Sequence, residues 1–248
     1  MGAASARLCT GGFFLDNRPT AEERNNVSTG TAAEVRAGTG YALWQKALAE
    51  GIGVAFLVMA FLHGGDFQFL VTGIALGIGV LLWTSVSGGY LNPAVALVAL
   101  WRKAMSVTEF AYIVIGQLVG ALVGVIVANW LTPGHKILDV ADAAKGAHDS
   151  QAFVGELIGT AGLVFLVFWL IANGLGRNVP LGLTGWVAAA SVFIGGVTGA
   201  AFFNPALTFG VIFSGLPIGF GKGVLLMVAE LVGGLAAGFM VSMYGKKA

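Results

Sequence analysis

The stretch GGYLNPAVALVAL, Gly88–Leu100, places a proline behind an asparagine in the middle of an apolar run. A second stretch, GAAFFNPALTFGV at Gly199–Val211, repeats the same Asn-Pro-Ala tripeptide in the same setting. Proline is favoured at the first position of a helix, where no N–H partner is needed, and asparagine is a good N-cap. Asn92-Pro93-Ala94 and Asn204-Pro205-Ala206 therefore read as helix starts. The apolar segments they open, 93–102 and 205–214, reach about 15 Å each as helices, half of a hydrocarbon layer of about 30 Å.

The rest of the chain says what surrounds these half-spans. Of 248 residues, 57% are hydrophobic and only 10% charged, and the mean hydropathy is +0.86. A soluble domain carries about 25% charged residues, so this chain cannot solvate a surface and reads as an integral membrane protein. The 39 glycines fit close helix packing in lipid. A net charge of +1 without a long basic run gives no nucleic-acid partner, and the single Cys9 excludes an intrachain disulfide.

Six segments are long and apolar enough to span: 43–62, 67–86, 107–131, 152–172, 181–197 and 220–244. HGGD at 63–66, TPGHK at 132–136 and NGLGRNVP at 173–180 separate them. Residues 1–40 lack the apolar core of a signal peptide and read as a disordered cytoplasmic tail. Its Asn26-Val27-Ser28 matches a glycosylation sequon, which a cytoplasmic placement discounts. Residues 41–248 read as one membrane-embedded domain.

That domain is internally repeated, in halves of about 41–131 and 151–245. KALAEGIGVAFLVM with Glu50 parallels AFVGELIGTAGLVFLV with Glu156, and IGQLVGALVG around Gln117 parallels VAELVGGLAAG around Glu230. Each half holds three spans and one half-span, and an odd number of spans inverts the second half. Inverted repeats commonly meet at a midplane site built by discontinuous helices. Two half-helices entering from opposite faces would bring their N-termini together, each carrying about +0.5 charge from the backbone dipole. Such a waist repels cations and admits a neutral solute with an acceptor oxygen. Lys and Arg are concentrated in the segments that lie inside if the N-terminus is inside, so both termini are expected in the cytoplasm.

With these features assembled, the sequence resembles the aquaporin or major intrinsic protein family over nearly all of residues 41–245. The paired Asn-Pro-Ala motifs carry the resemblance, with SGG at 87–89, FG at 209–210, Glu50, Glu156 and Gln117. It implies an all-α fold of six spans and two re-entrant half-helices. It also implies a homotetramer, set in membrane lipid, in which each subunit encloses its own pore and conducts water or small neutral solutes passively. No cofactor, metal or catalytic residue is expected. Membership also implies a selectivity filter, placed by counting back from the motifs at Thr72, Val192 (or Ser191), Ala201 and Leu207. The family's usual NPAR is NPAL here, so Leu207 stands where an arginine normally lines the filter. That filter is expected to be wider and less polar than a strict water channel's, favouring ammonia, urea, glycerol, hydrogen peroxide or a dissolved gas.

Glu50 and Glu156 are expected to accept hydrogen bonds from the re-entrant loops, whose N–H groups must be satisfied inside lipid. Glu230, where the family often has proline, shares a buried hydrogen-bonding role with its repeat mate Gln117. Tyr90, Ala96 and Val211 are further departures from the family pattern. Glycines 73, 77, 116, 120 and 124 read as helix-contact faces. His63, His135 and His148 read as solvated loop residues, since their spacing fits no zinc motif. Two alternatives stay open: an alternating-access transporter, and a pore-poor structural member of the fold. The cell membrane is the expected location, with a vacuolar or other internal membrane as the alternative.

Overall fold

The computed structural model describes residues 40–142, 149–199 and 201–244. The tail at 1–39, His148 and the sequon lie outside the described residues. Among the described residues eight principal helices follow one another: α1 Leu43–His63, α2 Gln68–Trp83, α3 Pro93–Trp101, α4 Val107–Leu131, α5 Asp149–Ala172, α6 Val179–Ala190, α7 Pro205–Ile212 and α8 Phe220–Tyr244. A π turn, Ser191–Gly195, and a short turn, Gly196–Thr198, prolong α6. Six of these units are long and apolar enough to cross a membrane; α3 and α7 are the half-spans. Their outward faces are apolar, with Phe56, Leu81, Ile115 and Leu181 each more than half exposed.

Local chemistry sets the ends. Ser106 caps α4 by accepting from the Glu109 N–H at 3.1 Å, and Gln45 Oε1 accepts from the Ala42 N–H at 2.8 Å where α1 begins. The half-helices start as the sequence requires, with Asn92 and Asn204 as N-caps and Pro93 and Pro205 at the first helical position.

The inverted repeat appears in the packing. α1 lies against α4, and α5 against α8; α2 and α6 pair across the centre. Each half-helix also leans on the other repeat: α3 packs on α8, and α7 on α4. Small residues permit these approaches. A Cβ on Gly120 would collide with the Gly51 carbonyl, and one on its repeat mate Gly233 with the Leu157 carbonyl. Gly73 and Gly77 play the same part between α2 and α6, where Thr184 fills the space. The small-residue faces read from the sequence are thus helix contacts.

Candidate functional site

α3 and α7 meet end to end in the interior, and their starts are tied together. Asn92 Oδ1 accepts from the Ala94 N–H at 2.9 Å, and Asn204 Oδ1 accepts from the Ala206 N–H at 3.0 Å. Capping therefore uses each amide oxygen and turns each amide nitrogen outward. Asn92 Nδ2 donates to the Phe203 carbonyl at 2.8 Å, and Asn204 Nδ2 donates to the Leu91 carbonyl at 2.8 Å.

The residues before each asparagine are bent sharply. Leu91 and Phe203 both have positive φ, 50° and 52°, a left-handed backbone that costs a non-glycine residue about 1–2 kcal/mol. Two features hold each of them there. Their side chains are fully buried, Leu91 against Gly53 and Phe203 against Gly159, in hollows that a Cβ would fill. Their N–H groups are held by carboxylates. Glu50 Oε2 accepts from Leu91 N at 2.6 Å and Oε1 from Tyr90 N at 2.9 Å. Glu156 Oε2 accepts from Phe203 N at 2.6 Å and Oε1 from Phe202 N at 2.8 Å. This is the acceptor arrangement expected of the two glutamates. Unpaired N–H groups at this depth would each cost several kcal/mol.

The third spans complete the frame, and here the halves differ. Gln117 Nε2 donates to Glu50 Oε2 at 2.7 Å, and Ser87 Oγ donates to Glu50 Oε1 at 2.6 Å. Glu230, in the place of Gln117, lies beside Glu156 but reaches on to the motif itself. Its Oε1 accepts from Asn204 N at 3.0 Å and from Thr208 Oγ1 at 2.6 Å. Its Oε2 is buried with no hydrogen-bond donor among the described residues. All four side chains, Glu50, Gln117, Glu156 and Glu230, are fully buried.

Between the capped ends lies a small cavity with about 10 Å³ of room for the centre of a water-sized molecule, close to what one water requires. Leu57, Leu76, Leu163, Val187 and Leu207 supply its apolar wall, and Phe202 closes one side. Its polar groups are Thr72, Asn92 and Asn204. Thr72 Oγ1 is buried and has no hydrogen-bond partner among the described residues.

Of the four expected filter residues, the structure brings Thr72 and Leu207 to this cavity. Ala201 is half-buried and not on its wall, where its neighbour Phe202 stands instead. Val192 is 55% exposed and does not line this cavity. Ser191, the alternative, is half-buried and follows Val187 by one turn on the same helix face. The π turn that begins at Ser191 adds a residue to the helix, which defeats a register counted back from Asn204. This cavity is narrow, and Phe202 and Leu207 both line it.

Several cavity residues escaped the sequence reading although a signal existed. Leu57 and Leu163 each stand two turns after the glutamate of their half, Glu50 and Glu156, and are repeat mates. Leu76 follows Thr72 by one turn. Phe202 is the mate of Tyr90, two residues before its asparagine.

The chain matches the family described as Major intrinsic protein over residues 27–240. The probable aquaporin TIP4-1 of Oryza sativa subsp. japonica is 33% identical over 186 residues, covering 74% of this chain and 68% of that relative. The probable aquaporin TIP2-2 of Arabidopsis thaliana is 31% identical over 172 residues, covering 67% of this chain and 66% of the relative. Among solved structures, the aquaglyceroporin from Plasmodium falciparum superposes with a TM-score of 0.63 at 20% identity, covering 82% of this chain and 97% of that one. That likeness is one of fold.

Proposed function

The chain belongs to the major intrinsic protein family, and from that premise we propose that it is a passive channel for water or small uncharged solutes that excludes ions and protons. The observation that carries this reading is the crossed pair of asparagine amides. Each amide nitrogen spends one N–H on the opposite repeat, and an amide has two. The second N–H of Asn92 and of Asn204 is available to a solute oxygen. The unpartnered Thr72 hydroxyl on the same cavity adds a third polar contact, of a kind that calls for an occupant.

Selectivity follows from the same geometry. Both half-helices direct their N-termini at this point, and each contributes a partial positive charge. Among the described residues no carboxylate lines the cavity: Glu50 and Glu156 are engaged by backbone N–H groups, and Glu230 by Asn204 N and Thr208 Oγ1. A cation would lose its hydration and meet like charge, amide donors, hydrocarbon and, in return, only the one neutral Thr72 hydroxyl oxygen. A wall this apolar and this tight favours the smallest neutral candidates, water, ammonia, hydrogen peroxide or a dissolved gas, over urea and glycerol. The working unit of this proposal is a homotetramer with one conduit per subunit, in a multi-pass setting with both termini cytoplasmic and residues 41–248 as the channel domain. The vacuolar membrane deserves the first look, because the plant relatives carry TIP names.

Reconstitution tests the proposal. Purified protein in liposomes is expected to speed stopped-flow shrinkage or neutral-solute entry, with rates linear in the gradient and a low activation energy. An ion-sensitive dye inside the same vesicles should report no current. Saturating, strongly temperature-dependent uptake would favour alternating access instead.

A further inference from the structure

We propose that Phe202 sets the size limit of this conduit, an inference that rests on the channel reading above. Nothing in the expected filter assigns it a role. It is the largest residue lining the cavity, which it shares with Leu57, Thr72 and Leu207 and which has about 10 Å³ of free room. It also packs on the Phe61 ring at 5.4 Å between centroids, tilted by 58°. Phe61 is 9% exposed and Phe202 is half-buried, so the phenyl ring is backed by the bundle on its Phe61 side.

The backbone beneath the ring is fixed. Glu156 holds the N–H of Phe202 at 2.8 Å and that of Phe203 at 2.6 Å. The Phe203 side chain is locked in the hollow over Gly159, and the Phe203 carbonyl is bound by Asn92. A ring on so constrained a stem can rotate, but it cannot retreat with its loop. It offers neither donor nor acceptor, so a molecule passing it must give up hydration on that side. Passage is then decided by width and apolarity rather than by a charged recognition group.

The repeat supplies an internal control. Tyr90 occupies the same place before Asn92, and its N–H is held by Glu50 in the same way. Its ring, however, folds back over Gly88 and is absent from the cavity wall. Of the two symmetry-related aromatics, only Phe202 enters the conduit.

Proteoliposomes of the full chain would be compared as wild type, Phe202→Ala and Phe202→Leu, with incorporation normalised by densitometry. Entry of ammonia, urea and glycerol would be followed beside water flow. Phe202→Ala is expected to raise urea or glycerol entry by about tenfold or more, as expected when a pocket's size limit is relaxed, with Phe202→Leu in between. An unchanged ranking and unchanged rates in both variants would overturn the proposal. Should the alanine variant fail to fold, the leucine variant decides, because it keeps an apolar filler and its solute entry must still exceed wild type. Failure of the channel reading looks different: wild-type vesicles then match empty ones for every solute. If the variants are equally inert, this inference falls with it; if Phe202→Ala alone conducts, the ring is the barrier and the inference stands.

Discussion

Asn92 and Asn204 hold each other's loops: each donates its amide to the carbonyl of the residue preceding the other, at 2.8 Å in both directions. The waist is therefore one reciprocal unit, not two caps that happen to be near. Removing either amide leaves a buried carbonyl unpaired, a cost of about 1–3 kcal/mol. Asn92→Ala and Asn204→Ala should each lower the thermal stability of the detergent-solubilised protein. The double variant should lose less than the sum, because the two bonds share one junction. Additive losses in calorimetry would mean that the loops are held independently.

The two glutamates carry unequal loads. Glu50 accepts from Ser87, Tyr90, Leu91 and Gln117, whereas Glu156 accepts from Phe202 and Phe203. A glutamine at either site supplies one acceptor oxygen and turns an NH₂ toward a backbone N–H. Glu50→Gln is expected to be the more damaging by about 1–3 kcal/mol, since more buried donors lose a partner. Melting temperatures of the two variants, measured side by side, check the order.

Glu230→Gln should go the other way. A glutamine keeps an oxygen for Asn204 N and Thr208 Oγ1 and replaces the donorless Oε2 with an NH₂. That NH₂ can donate to Glu156 as Gln117 donates to Glu50. The variant should equal or exceed wild-type stability, while Glu230→Leu should lose about 1–3 kcal/mol by stranding Asn204 N and Thr208 Oγ1. A Gln variant as weak as the Leu variant would show that the carboxyl itself is needed.

Leu207→Arg tests where the conduit runs. Leu207 is 1% exposed and shares the cavity with Thr72 and the two amides, which offer a guanidinium few acceptors. Neutral-solute rates should fall at least roughly tenfold, and stability should drop by about 3–5 kcal/mol for a buried charge without a partner. Leu207→Met, close in volume, should change either by little. Unaltered flux through a folded arginine variant would place the route elsewhere.

The sequence was legible where physics is periodic. The span at 107–131 and the half-helix start at Pro93 follow from apolar length and from what proline does to a helix, and the structure places both at the same residues. Glu50 and Glu156 were legible because a carboxylate in an apolar helix needs donors, and the re-entrant loops were the available supply. The fifth span was legible in its extent, 181–197 within Gly176–Thr198, and in its register only as far as Ala190. Beyond it the π turn shifts the register, so Val192 went to the wrong face. Phe202 sits in an irregular loop, where side-chain direction depends on the positive φ of its neighbour rather than on any period.

The leaning of each half-helix on the far repeat also bears on how the protein is made. α3 needs α8 behind it, yet residues 93 and 220 are separated by more than half of the chain. At about 5–20 residues per second, the ribosome delivers that partner on the order of ten seconds after Pro93 emerges. Until then the first loop lacks both its neighbour and the amide that caps Leu91. The inserted chain must shelter an unfinished, polar re-entrant segment through the synthesis of three further spans. A stalled or truncated product therefore leaves that segment unpaired inside the bilayer, the kind of exposed polar group by which quality control can recognise an incomplete membrane protein.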